Sequence, residues 1–358
     1  MKVPFLALTP GADAADVRAA IDRVVSRGWF VLGPELEAFE AEFAAASGAA
    51  HAVGVGTGTD ALALSLMALG IGAGDEVITS PLSAAYSALA IMMAGARPVF
   101  ADIDPERLTI SPDLVERAIT PKTRAILPVH LYGQPADMTA LAEVAARRGL
   151  LLIEDCCQAH LATAAGTPVG TWGAAGAFSF YPTKNLGALG DAGAVITNDA
   201  DLAAKLRRLR NGGQTSRYHH AEFGVNSRLD EMQAAVLRAR LPRLPGWTAT
   251  RRTLAARYRA RLAESAVRVP PEFDPGHVYH LFPVLARDRD AVQARLRDAG
   301  VEALIHYPVA IPDQKALAGA NPASCPVASR VARELLSLPL HPALAADDID
   351  AVAALLLS

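Results

Sequence analysis

Ala177-Phe178-Ser179-Phe180-Tyr181-Pro182-Thr183-Lys184-Asn185-Leu186-Gly187-Ala188-Leu189-Gly190-Asp191 begins as an apolar, strand-like run, stops at a proline and delivers one lysine into a glycine-rich turn. A lysine carried there by rigid apolar structure is poorly explained as a solubilising charge. Desolvated, it becomes a candidate for imine chemistry with an aldehyde. Upstream, Leu150-Leu151-Leu152-Ile153-Glu154-Asp155 has the pattern of a buried strand ending in an acid. Both reactive groups therefore fall at strand ends.

Outward from this segment, short apolar runs alternate with amphipathic ones between about residues 50 and 198. Strands are expected at Val53–Val55, Glu76–Thr79, Pro98–Phe100, Arg124–Val129, Leu151–Asp155, Ala177–Phe180 and Ala194–Thr197. Helices are expected over Asp60–Leu69, Ala88–Met93, Pro112–Ile119 and Met138–Arg147. Such alternation implies crossover units and an α/β fold with a mainly parallel sheet flanked by helices. Ligands on these sheets bind at the carboxyl ends of the strands, where Asp155 and Lys184 lie.

After Asn198 the pattern changes. A helix over Asp199–Arg210, capped by Asn198, is followed by a loop from Asn211 to Asn226 and a helix over Leu229–Leu241 that Pro242 and Pro245 break. Trp247–Leu262 reads as a basic amphipathic helix, with Arg251, Arg252, Arg257, Arg259 and Arg261 on a solvated face. Strands at His280–Leu285 and Val301–Ile305, with helices at Asp290–Asp298, Val327–Leu336 and Asp347–Leu357, complete a small α/β cap. The expected division is an N-terminal arm over 1–12, a large domain over 13–245 and a small one over 246–358.

The chain has 358 residues, 51% hydrophobic, a net charge of −3 and a pI near 6.3, which suits a large packed enzyme and not a nucleic-acid or anionic-membrane binder. The opening Met1-Lys2-Val3-Pro4-Phe5-Leu6 lacks the apolar stretch of a signal peptide, and no apolar run reaches the roughly 18 residues of a membrane span. Three cysteines, two of them adjacent as Cys156-Cys157, give neither a disulfide framework nor a metal-ligand spacing. A cytoplasmic protein with reduced thiols and no metal is the simplest expectation.

Gly54-Val55-Gly56-Thr57-Gly58-Thr59-Asp60 lies between an expected strand and helix. A dinucleotide fingerprint needs glycine at position 59, so a nicotinamide-dependent oxidoreductase is disfavoured. A single-phosphate cradle fits better, with the N–H groups of Gly58 and Thr59 and the Thr59 hydroxyl at a positive helix end. A strand-end lysine, a strand-end aspartate and this cradle together suit pyridoxal phosphate (PLP): the lysine forms the imine, and Asp155 keeps the ring nitrogen protonated. Gln158 is placed to meet the phenolic oxygen, Ser179 to donate to the phosphate, and His160 reads as a packed or surface histidine.

In this order and spacing the landmarks are specific. They are Gly28–Pro34, Gly58–Leu62, Pro98–Asp104, Glu154-Asp155 with Gln158-Ala159-His160, the Lys184 segment, and Gly224-Val225-Asn226-Ser227-Arg228-Leu229-Asp230. Nearly end to end, the chain resembles the DegT/DnrJ/EryC1/StrS family of sugar aminotransferases, PLP enzymes of fold type I. The resemblance implies Lys184 as the cofactor-bonding lysine, Asp155 as the pyridinium partner and Gln158 beside O3′. It gives Gly58, Thr59 and Ser179 to the phosphate, joined by Asn226 from the other subunit of a homodimer with shared sites. It further implies amino transfer from L-glutamate to a keto group of a nucleotide-linked sugar, with PLP cycling through pyridoxamine phosphate. Phe180–Asp191 looks like members acting at C3.

Departures are local. Ala84, in Pro81-Leu82-Ser83-Ala84-Ala85-Tyr86-Ser87, stands where the family stacks an aromatic on the ring, and Tyr86 is a candidate substitute. Asp191-Ala192-Gly193 replaces the usual Asp-Gly-Gly, and Cys156-Cys157 reads as packing. Substrate contacts are expected from Tyr218 and His220, within Arg217–His220, and from His306 and Tyr307. A sugar dehydratase of the same fold would carry histidine in place of Lys184, and a non-catalytic regulator would be expected to lose Lys184 or Asp155.

Overall fold

The structure, a computed structural model, describes residues 2–317 and 324–357. Strands β1 (His51–Val55), β2 (Glu76–Thr79), β3 (Arg97–Phe100), β4 (Thr123–Leu127), β5 (Leu151–Asp155), β6 (Ala175–Ser179) and β7 (Gly193–Thr197) form one seven-stranded sheet in the order β1-β7-β6-β5-β4-β2-β3. All run parallel except β7, which is antiparallel to both β1 and β6. Successive side chains enter opposite cores: Ile78, Ile126 and Leu152 pack on one face, and Val77, Ala125, Leu127 and Ile153 on the other. That two-sided burial is why these strands read as continuous apolar runs.

The helices α1 (Ala14–Arg27), α2 (Pro34–Ala46), α3 (Gly58–Ala68), α4 (Tyr86–Met93), α5 (Pro112–Ala118), α6 (Met138–Arg148), α7 (Ala200–Leu209) and α8 (Glu231–Arg240) surround the sheet. The first two lie before the region in which strands and helices are expected from the sequence. Glu231, fully buried, accepts hydrogen bonds from the backbone N–H groups of Gly33, Glu35 and Leu36 and so seats the start of α2. Aromatic edges then join α2 to β6: Phe39 and Phe43 meet Phe178 and Phe180 at 5.1–5.3 Å.

Helix α9 (Leu244–Arg261) leads to the hairpin β8 (Phe282–Leu285) and β9 (Leu335–Leu338), with α10 (Arg289–Asp298), α11 (Pro326–Glu334) and α12 (Ala346–Leu357) around it. Leu254 and Tyr258 of α9 pack here with Phe282, Leu336, Ile349 and Val352, and Val3 joins the same cluster. A further cluster combines Leu82, Phe100 and Leu131 with Leu281, Ile311 and Val331 and ties the two halves together. No helix among the described residues is long and apolar enough to cross a membrane.

Several local expectations are corrected. Asp199, not Asn198, caps α7: its carboxylate accepts from the N–H of Asp201 at 2.8 Å and of Leu202 at 3.0 Å, whereas Asn198 accepts from Ala50. Helix α8 does end where Pro242 and Pro245 are expected to break it, at Arg240, and a 3-10 turn over Leu241–Arg243 leads into α9. Both prolines lie in first turns, where a missing N–H loses no bond. Val301–Ile305 is not a strand, because its two bridges go to different partners, Val3 and Ser337, and no ladder extends. Leu335 and Leu336 leave the expected helix and, with Ser337 and Leu338, pair with β8. The Asn211–Asn226 segment contains a small hairpin, Gln214–Ser216 with His219–His220. The basic face of α9 is only partly solvated: Arg257 and Arg261 share Asp350, Arg252 donates to the His277 carbonyl, and Arg251 is buried.

Candidate active site

Lys184 is set by backbone before side chains contribute. Its N–H donates to the Tyr181 carbonyl at 2.8 Å, and Ala188 N–H donates to the Phe180 carbonyl at 2.7 Å, which closes the turn after β6. The half-buried Lys184 faces a cavity of about 640 Å³ with Asp155, Gln158, Ser179, Gly58 and Thr59 also on its walls. Burial pushes the Lys184 ammonium below its ordinary pKa, with the carboxylate of Asp155 opposing that shift. His160 is fully buried, with Nε2 2.9 Å from the Ser179 carbonyl, as a packed histidine. Burial and the Lys184 charge push His160 down to about 3 and His306 to about 4, so both are neutral at ordinary pH.

Asp155 ends β5 and is 6% exposed. Its Oδ2 accepts from the Ser87 hydroxyl at 2.7 Å and its Oδ1 from Cys157 N–H at 3.1 Å. Ser87, in the first turn of α4, was not singled out in the sequence. Nothing in its spacing signals it, because the contact spans the gap between α4 and β5. Next door, Glu154 accepts from the N–H groups of Gly170, Trp172 and Gly173 and lies 3.1 Å from His130 Nε2. His130 Nδ1 in turn accepts from Ala136 N–H. The buried trio His130, Glu154 and Cys156 brings ligand-type atoms within 4.8 Å, yet these bonds already occupy its carboxylate and imidazole.

The turn before α3 is built by close approach. Thr57 caps α3, its hydroxyl accepting from Asp60 N–H at 3.0 Å, so the cap is Thr57 and the N–H groups of Gly58 and Thr59 are left without intrahelical acceptors. A Cβ on Gly58 would stand 2.6 Å from Ser179 Cβ, and one on Gly193 would stand 2.3 Å from the Thr57 carbonyl oxygen. Glycine alone lets α3 start this near the end of β6. Ser227 accepts from Gly56 N–H at 2.9 Å and donates to Asp60 at 2.8 Å, holding the turn from behind.

The other expected residues divide into two groups. Tyr86, His306 and Tyr307 line the cavity, as does Ala84. Tyr86 is 62% exposed beside Ala84. Tyr307 is tied to Gln158, whose Nε2 donates to the phenol at 3.1 Å while its Oε1 accepts from Tyr132 N–H at 2.7 Å. Gln158 therefore has one N–H left for any ligand. Burial raises the Tyr307 phenol to about 12, which keeps it a proton donor. Asn226, Tyr218 and His220 are exposed and absent from the cavity walls of the single chain.

An α/β sheet of this order with a lysine and an acid at strand ends defines a PLP-type aminotransferase scaffold. The chain belongs to the DegT/DnrJ/EryC1/StrS aminotransferase family, whose model matches residues 12–357. It is 50% identical over 349 residues to the dTDP-3-amino-3,4,6-trideoxy-alpha-D-glucose transaminase of Streptomyces venezuelae, covering 95% of this chain and 92% of that one. The crystal structure of S. venezuelae DesV in complex with a ketimine intermediate superposes with a TM-score of 0.95 at 49% identity, covering 99% of this chain and 97% of that one. Bacillus subtilis NtdA with bound cofactor PMP gives a TM-score of 0.93 at 32% identity, covering 99% of this chain and 85% of that one.

The cavity fits such a cofactor on its own terms. An amine, a buried carboxylate and two unpaired helix N–H groups face one space, so the donor set matches an aldehyde, a ring nitrogen and a phosphate.

Proposed function

We propose that the chain is a PLP-dependent sugar aminotransferase that moves the amino group of L-glutamate to the C3 keto group of a nucleotide-linked sugar. The observation that carries the reading is the convergence of Lys184 and Asp155 on one cavity whose far wall is the start of α3. Gly58, Thr59 and Ser179 hold the phosphate, Asp155 the ring nitrogen, and Gln158 the phenolic oxygen. Bound there, PLP supplies an electrophilic carbon and an electron-withdrawing ring, and alternates with its amine form.

The protein's own part is proton handling and orientation. Lys184 Nζ, with its pKa lowered by burial, would act as the base and then the acid of the 1,3-proton shift that begins at the donor's α-carbon. Asp155, steered by Ser87 and Cys157 N–H, presents its negative charge to the protonated ring nitrogen. Tyr86, on the cavity wall beside Ala84, is assigned to cover a face of the ring in place of the aromatic missing there. His306 and Tyr307 contact the sugar. Exposed Asn226, Tyr218 and His220 support a closed homodimer in which each chain completes its partner's site. A large domain over 13–245 with a smaller one over 246–358, and a cytoplasmic setting, belong to the same reading.

The test is an amination screen. Purified enzyme with PLP, L-glutamate and a panel of 3-keto and 4-keto sugar nucleotides is assayed by product mass and by 2-oxoglutarate release. A gain of one amine on the 3-keto compounds is the expected outcome. Product from 4-keto compounds alone refutes the C3 assignment, and no product from any keto sugar refutes the sugar reading.

A further inference from the structure

Three arginines are buried to less than a tenth exposure, and they are not treated alike. Arg210 is paired with Glu40, and Arg240 donates to Asp13 at 2.8 Å. Arg251, 5% exposed, makes no ion pair among the described residues. Its Nη1 donates to the carbonyls of Tyr279, His280 and Leu340 at 3.2, 3.3 and 2.7 Å, and its Nε has no partner. Burial pulls the pKa down to about 10, so the group is still a cation at neutral pH. Three carbonyl dipoles soften an isolated buried charge but do not neutralise it.

Arg251 lines a second cavity, of about 550 Å³, that shares Lys184 with the first. Thr9, Trp247, Thr250 and His341 are on the same walls, and His341 Nδ1 is another buried atom with no partner. Asp13, the one acid among the described residues on these walls, is already held by Arg240 and by Gly11 N–H. The cavity wall therefore contains a buried cation whose Nε is unpaired, and among the described lining residues no free acid meets it.

We propose that this second cavity takes an oxyanion of one of the two substrates and that Arg251 is its charged ligand. A planar guanidinium with free N–H groups suits a carboxylate or a phosphate equally. The inference rests on the proposed function for the source of the oxyanion, the amino donor's carboxylate or the nucleotide's phosphates. The shared Lys184 wall places either source next to the reacting centre.

The test uses PLP-loaded enzyme, so that the cofactor's own phosphate site is filled. Glutarate and pyrophosphate, neither of which can accept an amine, are titrated by calorimetry and by thermal shift. One of them is expected to bind saturably and raise the Tm. Thr250→Glu places a carboxylate on the cavity wall and leaves the three carbonyl bonds of Arg251 in place. It should weaken that probe by about tenfold or more. Arg251→Met should raise the KM of the matching substrate by about tenfold with a smaller change in kcat, and Arg251→Lys should fall between. Glutarate binding assigns the donor, and pyrophosphate binding assigns the nucleotide.

If neither probe binds the wild-type protein, or if Thr250→Glu leaves the affinity unchanged, the site does not exist. A purely structural Arg251 would lower the Tm and leave both KM values alone. The titrations need no turnover, so probe binding without amine transfer would count against the proposed function and not against this site.

Discussion

Asp155, at the end of β5, is 6% exposed and bonded from two sides, whereas Tyr218, in the hairpin region that follows α7, is 76% exposed. Among the described residues Tyr218 bonds only within its own neighbourhood: the Arg217 guanidinium lies over its ring, and its N–H reaches Gln214. The two regions differ in what fixes them. The carboxyl edge of the sheet is held by strand pairing and buried hydrogen bonds within one chain, so its side chains are aimed before any ligand arrives. The hairpin is mostly exposed and is held by its own strand pairing, by turn hydrogen bonds and by the Arg208–Glu222 ion pair, with little packed around it. Chemistry that depends on placement within fractions of an ångström belongs on the first region, and contacts that complete a site on association suit the second.

The sharpest way to break this contrast is to remove one side chain from each region. Lys184→Ala is expected to abolish amine transfer, measured as 2-oxoglutarate release, because no other amine among the described residues lines the cavity. Tyr218→Ala should mainly raise the sugar-nucleotide KM and change kcat by less than about tenfold. Equal losses in the two variants would erase the distinction.

Asp155→Asn should still bind PLP but lose several orders of magnitude in rate, since an amide cannot hold the ring nitrogen's proton. A mild loss would show that another acid serves the ring. Mixing tests the hairpin side. Lys184→Ala and Asn226→Asp chains, each inactive alone, should recover about a quarter of wild-type activity when randomly dimerised, since half the dimers carry one intact site. Mixed dimers that form without any recovery would confine Asn226 to its own chain.

Ser87→Ala should cost about tenfold in kcat, the worth of one hydrogen bond to a charged group. The smallest effect is on stability. Burial lowers His160 and His277 from 6.5 to about 3. The unfolded chain therefore takes up protons first as the pH falls below about 6.5. Each such histidine should remove about 1.4 kcal/mol of stability per pH unit on the way toward pH 4. Denaturant midpoints that stay flat between pH 7 and pH 5 would contradict their burial.

Much of the sheet could be read directly, because burial on both faces writes itself as unbroken apolar runs such as Leu151–Ile153 and Ala194–Ile196. Lys184, Asp155 and the glycine turn were legible for a related reason: reactive or backbone-demanding residues stand out against those runs. Helices α1 and α2 were missed because their burial depends on distant contacts, including the Glu231 carboxylate at the start of α2. Arg251 was misplaced on a solvated face because its basic neighbours masked it, and only the chain folding back at Tyr279 and Leu340 buries it.

The sequence by itself settled the α/β class and the family resemblance and singled out Lys184 and Asp155 as candidates, since periodicity and residue chemistry are local properties of the chain. Only the tertiary structure decided that Ser87 orients Asp155, that Gln158 is shared with Tyr307, and that Arg251 is a buried cation without an acid. Each of those depends on residues tens to hundreds of positions apart, and their meeting is fixed by packing and not by pattern.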